Sequence, residues 1–240
     1  TTTLDAMASG GIYDQLGGGF SRYSVDQEWT VPHFEKMLYD NALLAKTYLH
    51  AWQIFGYERW LQVASETIDY VRRDLRHSNG GFYSSEDADS EGIEGKFYVW
   101  GKEEVETVCT SNSKKAVSWY GVTEIGNFEG ANILTCPKKD YLPRPKEIEE
   151  LRILLFESRN TRIRPNLDDK ILTEWNGLML STLAEAALVT GREDWLEDAK
   201  TNANFLLKNL CRDDGRWYRS WQEKGGARHL GYAADHIAIA

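Results

Sequence analysis

The sequence is poor in cysteine and has no glycosylation signal. Its three cysteines, Cys109, Cys136 and Cys211, form neither a C-x-x-C pair nor the spacing of a metal site. No N-x-S/T sequon occurs in the 240 residues. We therefore expect neither a disulfide framework nor a metal centre, and no cofactor motif is present. Both absences favour a reducing compartment, which we take to be the cytoplasm.

Basic charge and long apolar runs are also scarce. The chain carries 28 Lys and Arg against 37 Asp and Glu, which gives a net charge of −9 and a pI near 5.2. An acidic surface of this kind argues against nucleic acid and against an anionic membrane as partners. No apolar run approaches the roughly 20 residues that a membrane-spanning helix needs. We expect no nucleic-acid partner and no membrane contact.

Aromatic residues, by contrast, are abundant. The chain has 9 Trp and 12 Tyr, more than the packing of a helical core requires. Such an excess in a helical protein favours an aromatic-lined cavity, although ordinary core packing is the alternative.

A long internal repeat organises the chain. Residues 32–85 lie over residues 167–220 without a gap, at a constant offset of 135 positions. Each copy shows apolar residues at helical spacing, a glycine break, a second helical stretch, and a glycine- and aromatic-rich exit. The pattern predicts helices from about Phe34 to Phe55, Trp60 to Leu75, Leu172 to Val189 and Trp195 to Leu210. The repeating unit is therefore a helical hairpin.

Stacked helical hairpins build either open solenoids or closed (α/α) toroids. Solenoid hairpins recur every 34 to 47 residues or so, whereas residues 86–160 intervene here, and the exit loops carry acids, aromatics and glycines. We therefore predict an all-α fold of the toroid class, with short β-like pieces in the loops between hairpins. A ring of six hairpins needs about twelve helices and we count six or seven, so we expect residues 1–240 to be one partial toroid domain.

The first candidate cluster precedes the first hairpin. Arg22 and Tyr23 follow three glycines, and Pro32 marks an expected helix start with His33 and Glu35 in its first turn. These groups are candidates for ligand binding and proton transfer. Simple capping of the helix by His33 and Glu35 is the alternative.

The second cluster is the acidic loop that follows the first exit. It runs from Ser84 through Asp87 and Asp89 to Trp100. Acids beside aromatics suit sugar recognition, where carboxylates act as acid and base and rings stack on the sugar. A solvated acidic loop and a weak calcium site are the alternatives, although the EF-hand spacing is not met.

The third cluster takes the equivalent place before the second hairpin. Asp168 and Asp169 precede Trp175 and Asn176. A helix N-cap would need only one carboxylate. Asn41 and Asn176 are repeat partners on apolar helical faces, and hydrogen-bonded core amides that join neighbouring hairpins are the favoured interpretation of both.

Several ordered motifs resemble one family, the spermatogenesis-associated, thioredoxin-domain-containing proteins. They lie at residues 10–41, 81–90, 126–130 and 168–178, and together cover nearly the whole chain. The resemblance implies a six-hairpin, glycosidase-like toroid similar to N-acylglucosamine 2-epimerase, preceded by a thioredoxin-like domain that this chain does not contain. Near the end, Ala234 and His236 depart from the family pattern while Asp235 keeps it. The family supplies no settled reaction.

These observations lead to one functional hypothesis with a competitor. The toroid is expected to bind a sugar-like ligand in an acidic, aromatic-lined cleft and to act as a hydrolase or an epimerase. The competing hypothesis is a non-catalytic platform that partners a thioredoxin-like domain of the same protein. Asp87 and Asp168 are the preferred acid and base. The expected catalytic residues are Asp87, Asp168, Asp169, His33 and Glu35, and the expected ligand contacts are Arg22, Tyr23, Asp89, Trp100, Trp175, Asn176 and Asp235.

Overall fold

The computed structural model describes residues 1–137 and 143–240 and is dominated by helices. Its α-helices, in chain order α1 to α9, are Thr2–Ser9, Leu38–Phe55, Glu58–Asp74, Lys102–Cys109, Ser113–Trp119, Lys146–Arg159, Thr173–Thr190, Glu193–Asn209 and Ala233–Ile239, with a 3₁₀ turn at Thr110–Asn112. The strands, β1 to β10, are short: Tyr23–Ser24, Pro32–His33, Lys36–Met37, Ser85–Glu86, Asp89–Ser90, Ile93–Glu94, Leu167–Asp168, Ile171–Leu172, Tyr218–Gln222 and Gly226–Leu230.

Two helical hairpins, α2/α3 and α7/α8, form the predicted repeat. Each turns at a glycine in the left-handed region, Gly56 and Gly191, both with φ of 71°. A side chain is disfavoured at that φ, which explains why the apolar periodicity breaks at a glycine in both copies. The helix bounds of both copies keep the offset of 135 residues. The hairpin prediction is confirmed.

The hairpins pack side by side as an arc. Helix α7 lies between α2 and α9, so that the first helices of successive units are neighbours, while α3 and α8 pack behind them. The Thr182 hydroxyl donates to Ala42 O at 3.0 Å across the α2–α7 contact. Behind it, Arg72 of α3 pairs with Asp194 of α8 at 2.9 Å. A row of inner helices backed by outer helices is the arrangement of an (α/α) toroid.

Each hairpin is tied to the exit loop of the unit before it by one buried asparagine. Asn41 accepts from Phe20 N at 2.7 Å and donates to Phe20 O at 3.0 Å. Asn176 repeats both bonds with Phe82 N and O, at 2.8 and 2.9 Å. Both asparagines are 0% exposed. The interpretation of these residues as core amides that join hairpins is confirmed.

Replacing Asn176 should therefore weaken the joint between hairpins. Asn176→Ala leaves the Phe82 N–H and C=O without their partner in the core, and we expect a loss of about 2–4 kcal/mol in the free energy of unfolding. Asn160→Ala, at the exposed end of α6, should change stability by about 0.5 kcal/mol or less. Chemical denaturation of both variants checks this, and equal midpoints would contradict the assignment.

Residues 86–137 and 143–166 form an insertion with a separate cluster of buried apolar residues. Helices α4, α5 and α6 enclose Trp100, Val105, Tyr120 and Leu155, all 0% exposed. The insertion is held to the toroid by arginines along α6, among them Arg159, which makes two hydrogen bonds to Asp14 at 2.7 and 2.8 Å. Among the described residues no helix is long and apolar enough to cross a membrane.

Helix α2 begins later than the apolar pattern predicts, whereas α7 begins within one residue of its predicted start at Leu172. Helix α2 starts at Leu38 rather than near Phe34, and Pro32–His33 is a strand, so His33 and Glu35 are not in a first helical turn. The residue before α7 is Leu172, so neither Asp168 nor Asp169 caps it. Strand pairing, which joins segments distant in sequence, outcompetes the local helical spacing before α2.

Candidate functional site

A three-stranded sheet brings the three predicted clusters together. Strand β4 lies between β3 and β7, with Lys36 opposite Glu86 and Ser85 opposite Asp168. The pairing continues for one residue, since Asp87 N donates to Asn166 O at 2.8 Å. Helix α2 follows β3 directly, and α7 begins after β8, with residues 169–172 between β7 and α7. The sheet therefore lies near the start of both inner helices. We call the surface formed by residues 22–40, 85–94 and 167–176 the mouth.

The two faces of this sheet have different chemistry. Successive strand residues point to opposite faces, so Lys36 and Glu86 share one face and Ser85 and Asp168 share the other. Lys36 and Glu86 are each 1% exposed. Asp87 is the residue after β4, and the same alternation places it on the face of Asp168. Asp87 is exposed and Asp168 is partly exposed. The preferred carboxylates, Asp87 and Asp168, thus lie on one face of one sheet.

His33 and Glu35 belong to a connected group of polar side chains on the mouth. His33 Nδ1 lies 2.7 Å from Glu94 Oε1 and its Nε2 lies 3.6 Å from Glu35 Oε2. The His33 ring also stacks on Tyr23, with ring centroids 5.0 Å apart. Arg22 pairs with Glu35 at 3.2 Å. Four predicted residues are therefore neighbours, and Glu94, which the sequence reasoning missed, joins them to the β5–β6 hairpin.

The first turns of the inner helices supply an aromatic pair beside this group. Tyr39 of α2 and Trp175 of α7 have ring centroids 4.7 Å apart. Tyr39, together with the charge of Glu35, raises the pKa of Arg22. The aromatic pair therefore lies against the Arg22–Glu35 ion pair, which is the combination of ring face and polar edge that sugar sites use.

Asp40 is the residue of greatest chemical interest and the sequence reasoning missed it. Burial raises its pKa to about 6, and the negative charge of Glu35 acts in the same direction against the lowering effects of Tyr39 and Arg22. Its Oδ2 is buried and has no hydrogen-bond partner in residues 1–137 and 143–240. A carboxyl group of this kind can carry a proton near neutral pH and release it. The repeat gave no signal for it, since Asp40 aligns with Trp175.

The sheet's other face rests on a buried charge network. Lys36 Nζ donates to Asp14 at 2.9 Å and lies over the Tyr70 ring at 4.4 Å. Burial lowers the pKa of Lys36, partly offset by Asp14. Burial alone would raise the pKa of Asp14, but Arg159 and Lys36 hold it well below its usual range. This network holds β3 in place from its buried face. It therefore also holds the backbone of Glu35, the residue before β3.

Three predicted ligand contacts lie in the interior. Trp100 is 0% exposed within the core of the insertion. Asn176, also 0% exposed, is engaged by Phe82 as described above. Asp235 is 0% exposed and accepts from Tyr232 N at 2.8 Å, from Glu174 N at 2.9 Å and from Arg219 at 2.8 Å. Asn176 and Asp235 are engaged by these partners, and Trp100 is enclosed in the insertion, where its Nε1 has no hydrogen-bond partner among the described residues. We therefore leave all three out of the proposed site.

The remaining predicted residues lie at the edge of the mouth. Asp89 is exposed in the β5–β6 hairpin. Asp169 is exposed and accepts from Gln222 at 2.7 Å. Asp168 pairs with Lys170 at 2.7 Å. Within the described residues no group of three or more His, Cys, Asp or Glu is arranged to hold a metal ion.

The packing of the chain defines its fold class, and sequence identity to known proteins defines its family. The described helices pack as an arc of an (α/α) toroid, a class of protein in which helical hairpins form a ring. The chain is 39% identical over 244 residues to human spermatogenesis-associated protein 20 and 38% identical over 244 residues to the rat protein, in each case over 87% of this chain and 31% of the relative. The chain belongs to the spermatogenesis-associated protein 20 family and spans about a third of the length of these curated relatives. No family model matches it.

Solved structures with similar topology include two sugar enzymes. An unsaturated glucuronyl hydrolase from Bacillus sp. GL1 superposes with a TM-score of 0.47 and 14% identity, over 87% of this chain and 38% of that one. A cellobiose 2-epimerase from Spirochaeta thermophila gives a TM-score of 0.31 and 15% identity, over 99% and 77%. Both scores are below 0.5, so the toroid assignment depends on the packing of the chain itself.

Proposed function

We propose that the mouth binds a sugar-like ligand and transfers a proton to or from it. One observation carries the proposal: Asp40, with a pKa of about 6 and a buried, unpartnered carboxylate oxygen, stands beside an aromatic pair on the mouth. In this role Asp40 is the proton donor. Glu35, held by Arg22 at 3.2 Å, is the second carboxyl group near it. Two carboxyl groups in different environments are what acid–base catalysis on sugars requires.

The other groups have supporting roles in the proposal. Tyr39 and Trp175 provide faces for the ligand ring, and Arg22, Tyr23 and His33 orient it from one side. Asp87 and Asp168, on the outward face of the sheet, are candidates for contact with a second sugar unit or for the role of base. The reaction is of the hydrolase or epimerase type, since both need a positioned proton donor. A cytoplasmic location is part of this proposal.

Removing the aromatic face tests ligand binding directly. Trp175→Ala should weaken binding of a sugar ligand roughly tenfold, because a stacked ring contributes about 0.5–1.5 kcal/mol beyond the area it buries. Titration calorimetry or ligand-observed NMR with mono- and disaccharides measures it. Phe55→Ala is the matched control, since Phe55 is 50% exposed at the other end of α2, about 24 Å along the helix.

The outcomes separate the two functional hypotheses. A sugar that binds the wild-type chain and the Phe55 variant but not the Trp175 variant supports the proposal. Absence of binding by any sugar in the panel contradicts it. The toroid would then be better described as a platform for a thioredoxin-like domain of the same protein.

A further inference from the structure

Charge is distributed unevenly over the mouth. Its three segments, residues 22–40, 85–94 and 167–176, contain twelve acidic side chains and three Lys or Arg side chains. Such an excess restricts which ligands can approach. The restriction depends, however, on whether any of the cations is free to bind an anion.

Each cationic side chain of these segments is already paired. Arg22 is bound by Glu35 at 3.2 Å, and Lys170 by Asp168 at 2.7 Å. Lys36 is buried against Asp14 at 2.9 Å, below the sheet. His33, if protonated, lies between Glu94 and Glu35. An anionic group arriving at the mouth would therefore have to displace a carboxylate that is already in place.

Several acids of the mouth have no such partner. Asp87, Asp89 and Asp169 make no ion pair within the described part of the chain, and all three are exposed. Their charge is thus directed to the solvent and to whatever the mouth binds. The unpaired charges of the mouth are all of one sign.

We infer that the mouth selects neutral sugars and rejects uronic acids, through acids left unpaired around a site whose cations are all neutralised. The inference rests on the proposed sugar-binding function and adds the class of sugar to it. Rejection by like charge is an economical source of specificity, since it needs no contact with the preferred ligand. These charges do not weaken the binding of a neutral sugar. A carboxylate on the sugar ring is repelled by them and finds no free guanidinium or ammonium group among residues 22–40, 85–94 and 167–176.

Glucose and glucuronate form a matched pair for the test, because they share the pyranose ring and differ in a carboxylate at one end. With the full chain at low ionic strength, we expect glucuronate to bind roughly tenfold or more weakly than glucose. The difference should narrow as salt is raised to about 0.5 M, because exposed charges are then screened over a few ångströms. The inference would be overturned by equal affinities or by tighter binding of glucuronate. It would also be overturned by a difference in affinity that does not change with salt concentration.

Charge variants locate the effect. Asp87→Asn removes one unpaired acid of the mouth and should reduce the ratio of glucose to glucuronate affinity by about twofold to threefold. Glu197→Gln, on the outer helix α8 where Glu197 is 72% exposed, makes the same charge change far from the mouth and should leave the ratio unaltered. A ratio changed equally by both variants would contradict a local origin.

The two proposals fail in different ways. If neither glucose, glucuronate nor a larger neutral sugar binds, the proposed function is wrong and the selectivity falls with it. If glucuronate binds at least as well as glucose, the sugar-binding function stands and only the selectivity is wrong.

Discussion

Replacing Asp40 with Asn should abolish most sugar-dependent turnover, with a fall of about 10²–10⁴-fold in kcat. The reason is that the amide keeps the shape of the carboxyl group but cannot deliver a proton. Wild-type kcat should decrease as the pH rises through about 6, because the donor is protonated only below the raised pKa of Asp40. The Asn variant should lose this limb of the pH profile.

The same substitution should stabilise the fold, which separates catalytic loss from damage. Because the folded protein raises the pKa of Asp40 above that of the unfolded chain, stability from this group is full below about pH 4 and is lost as the pH rises to about 6. At neutral pH we expect Asp40→Asn to raise the free energy of unfolding by about 1 kcal/mol, a figure reduced for the solvent that reaches the side chain.

Two measurements check these expectations together: kcat as a function of pH, and thermal unfolding at pH 4 and pH 8. Asp26→Asn is not a suitable control, because Asp26 accepts three backbone hydrogen bonds from Glu28, Thr30 and Val31. Asp213→Asn, at an exposed position, is suitable. Unaltered turnover in the Asp40 variant would remove Asp40 from the mechanism.

Much of the fold could be predicted from the sequence, because each helical hairpin is formed by one continuous stretch of chain. The 135-residue offset fixes two hairpins, and the glycines at positions 56 and 191 end their first helices for a reason that any hairpin shares. The start of helix α2 was harder to predict. Phe34 and Met37 continue the helical spacing of α2, yet Met37 pairs with Ser85, which lies 48 positions further along the chain. Local periodicity carries no information about that partner.

Likewise, some residues of the candidate site could be predicted from the sequence and others could not. Clusters at His33, Asp87 and Asp168 could be found because acids and aromatics stand out beside a repeated motif. Asp40 could not, since its distinguishing property is burial, which depends on how Tyr39, Glu35 and the following hairpin surround it. Asp235 shows the reverse error. Its sequence context resembles that of a ligand contact, but the structure buries it and engages both of its carboxylate oxygens with Tyr232, Glu174 and Arg219.

The buried network beneath the sheet should dominate stability. Asp14 forms ion pairs with both Lys36, at 2.9 Å, and Arg159, at 2.7 Å, and all three side chains are nearly inaccessible. Asp14→Asn leaves two buried cations without their counter-charge, and we expect a loss of about 3–5 kcal/mol in the free energy of unfolding. Because the pKa of Asp14 is held low, its contribution is present above about pH 4 and is lost only as the pH falls further.

A double variant distinguishes loss of the pair from a general packing defect. In Asp14→Asn/Lys36→Met one of the two uncompensated cations is gone, so the double variant should be more stable than Asp14→Asn alone, with a coupling of about 1–3 kcal/mol. Denaturant unfolding of the two single variants and the double variant gives the coupling. Additive losses would show that Asp14 and Lys36 act independently. A positive coupling would show that the charge pair holds β3, and with it the backbone that carries Glu35, against the insertion helix that supplies Arg159.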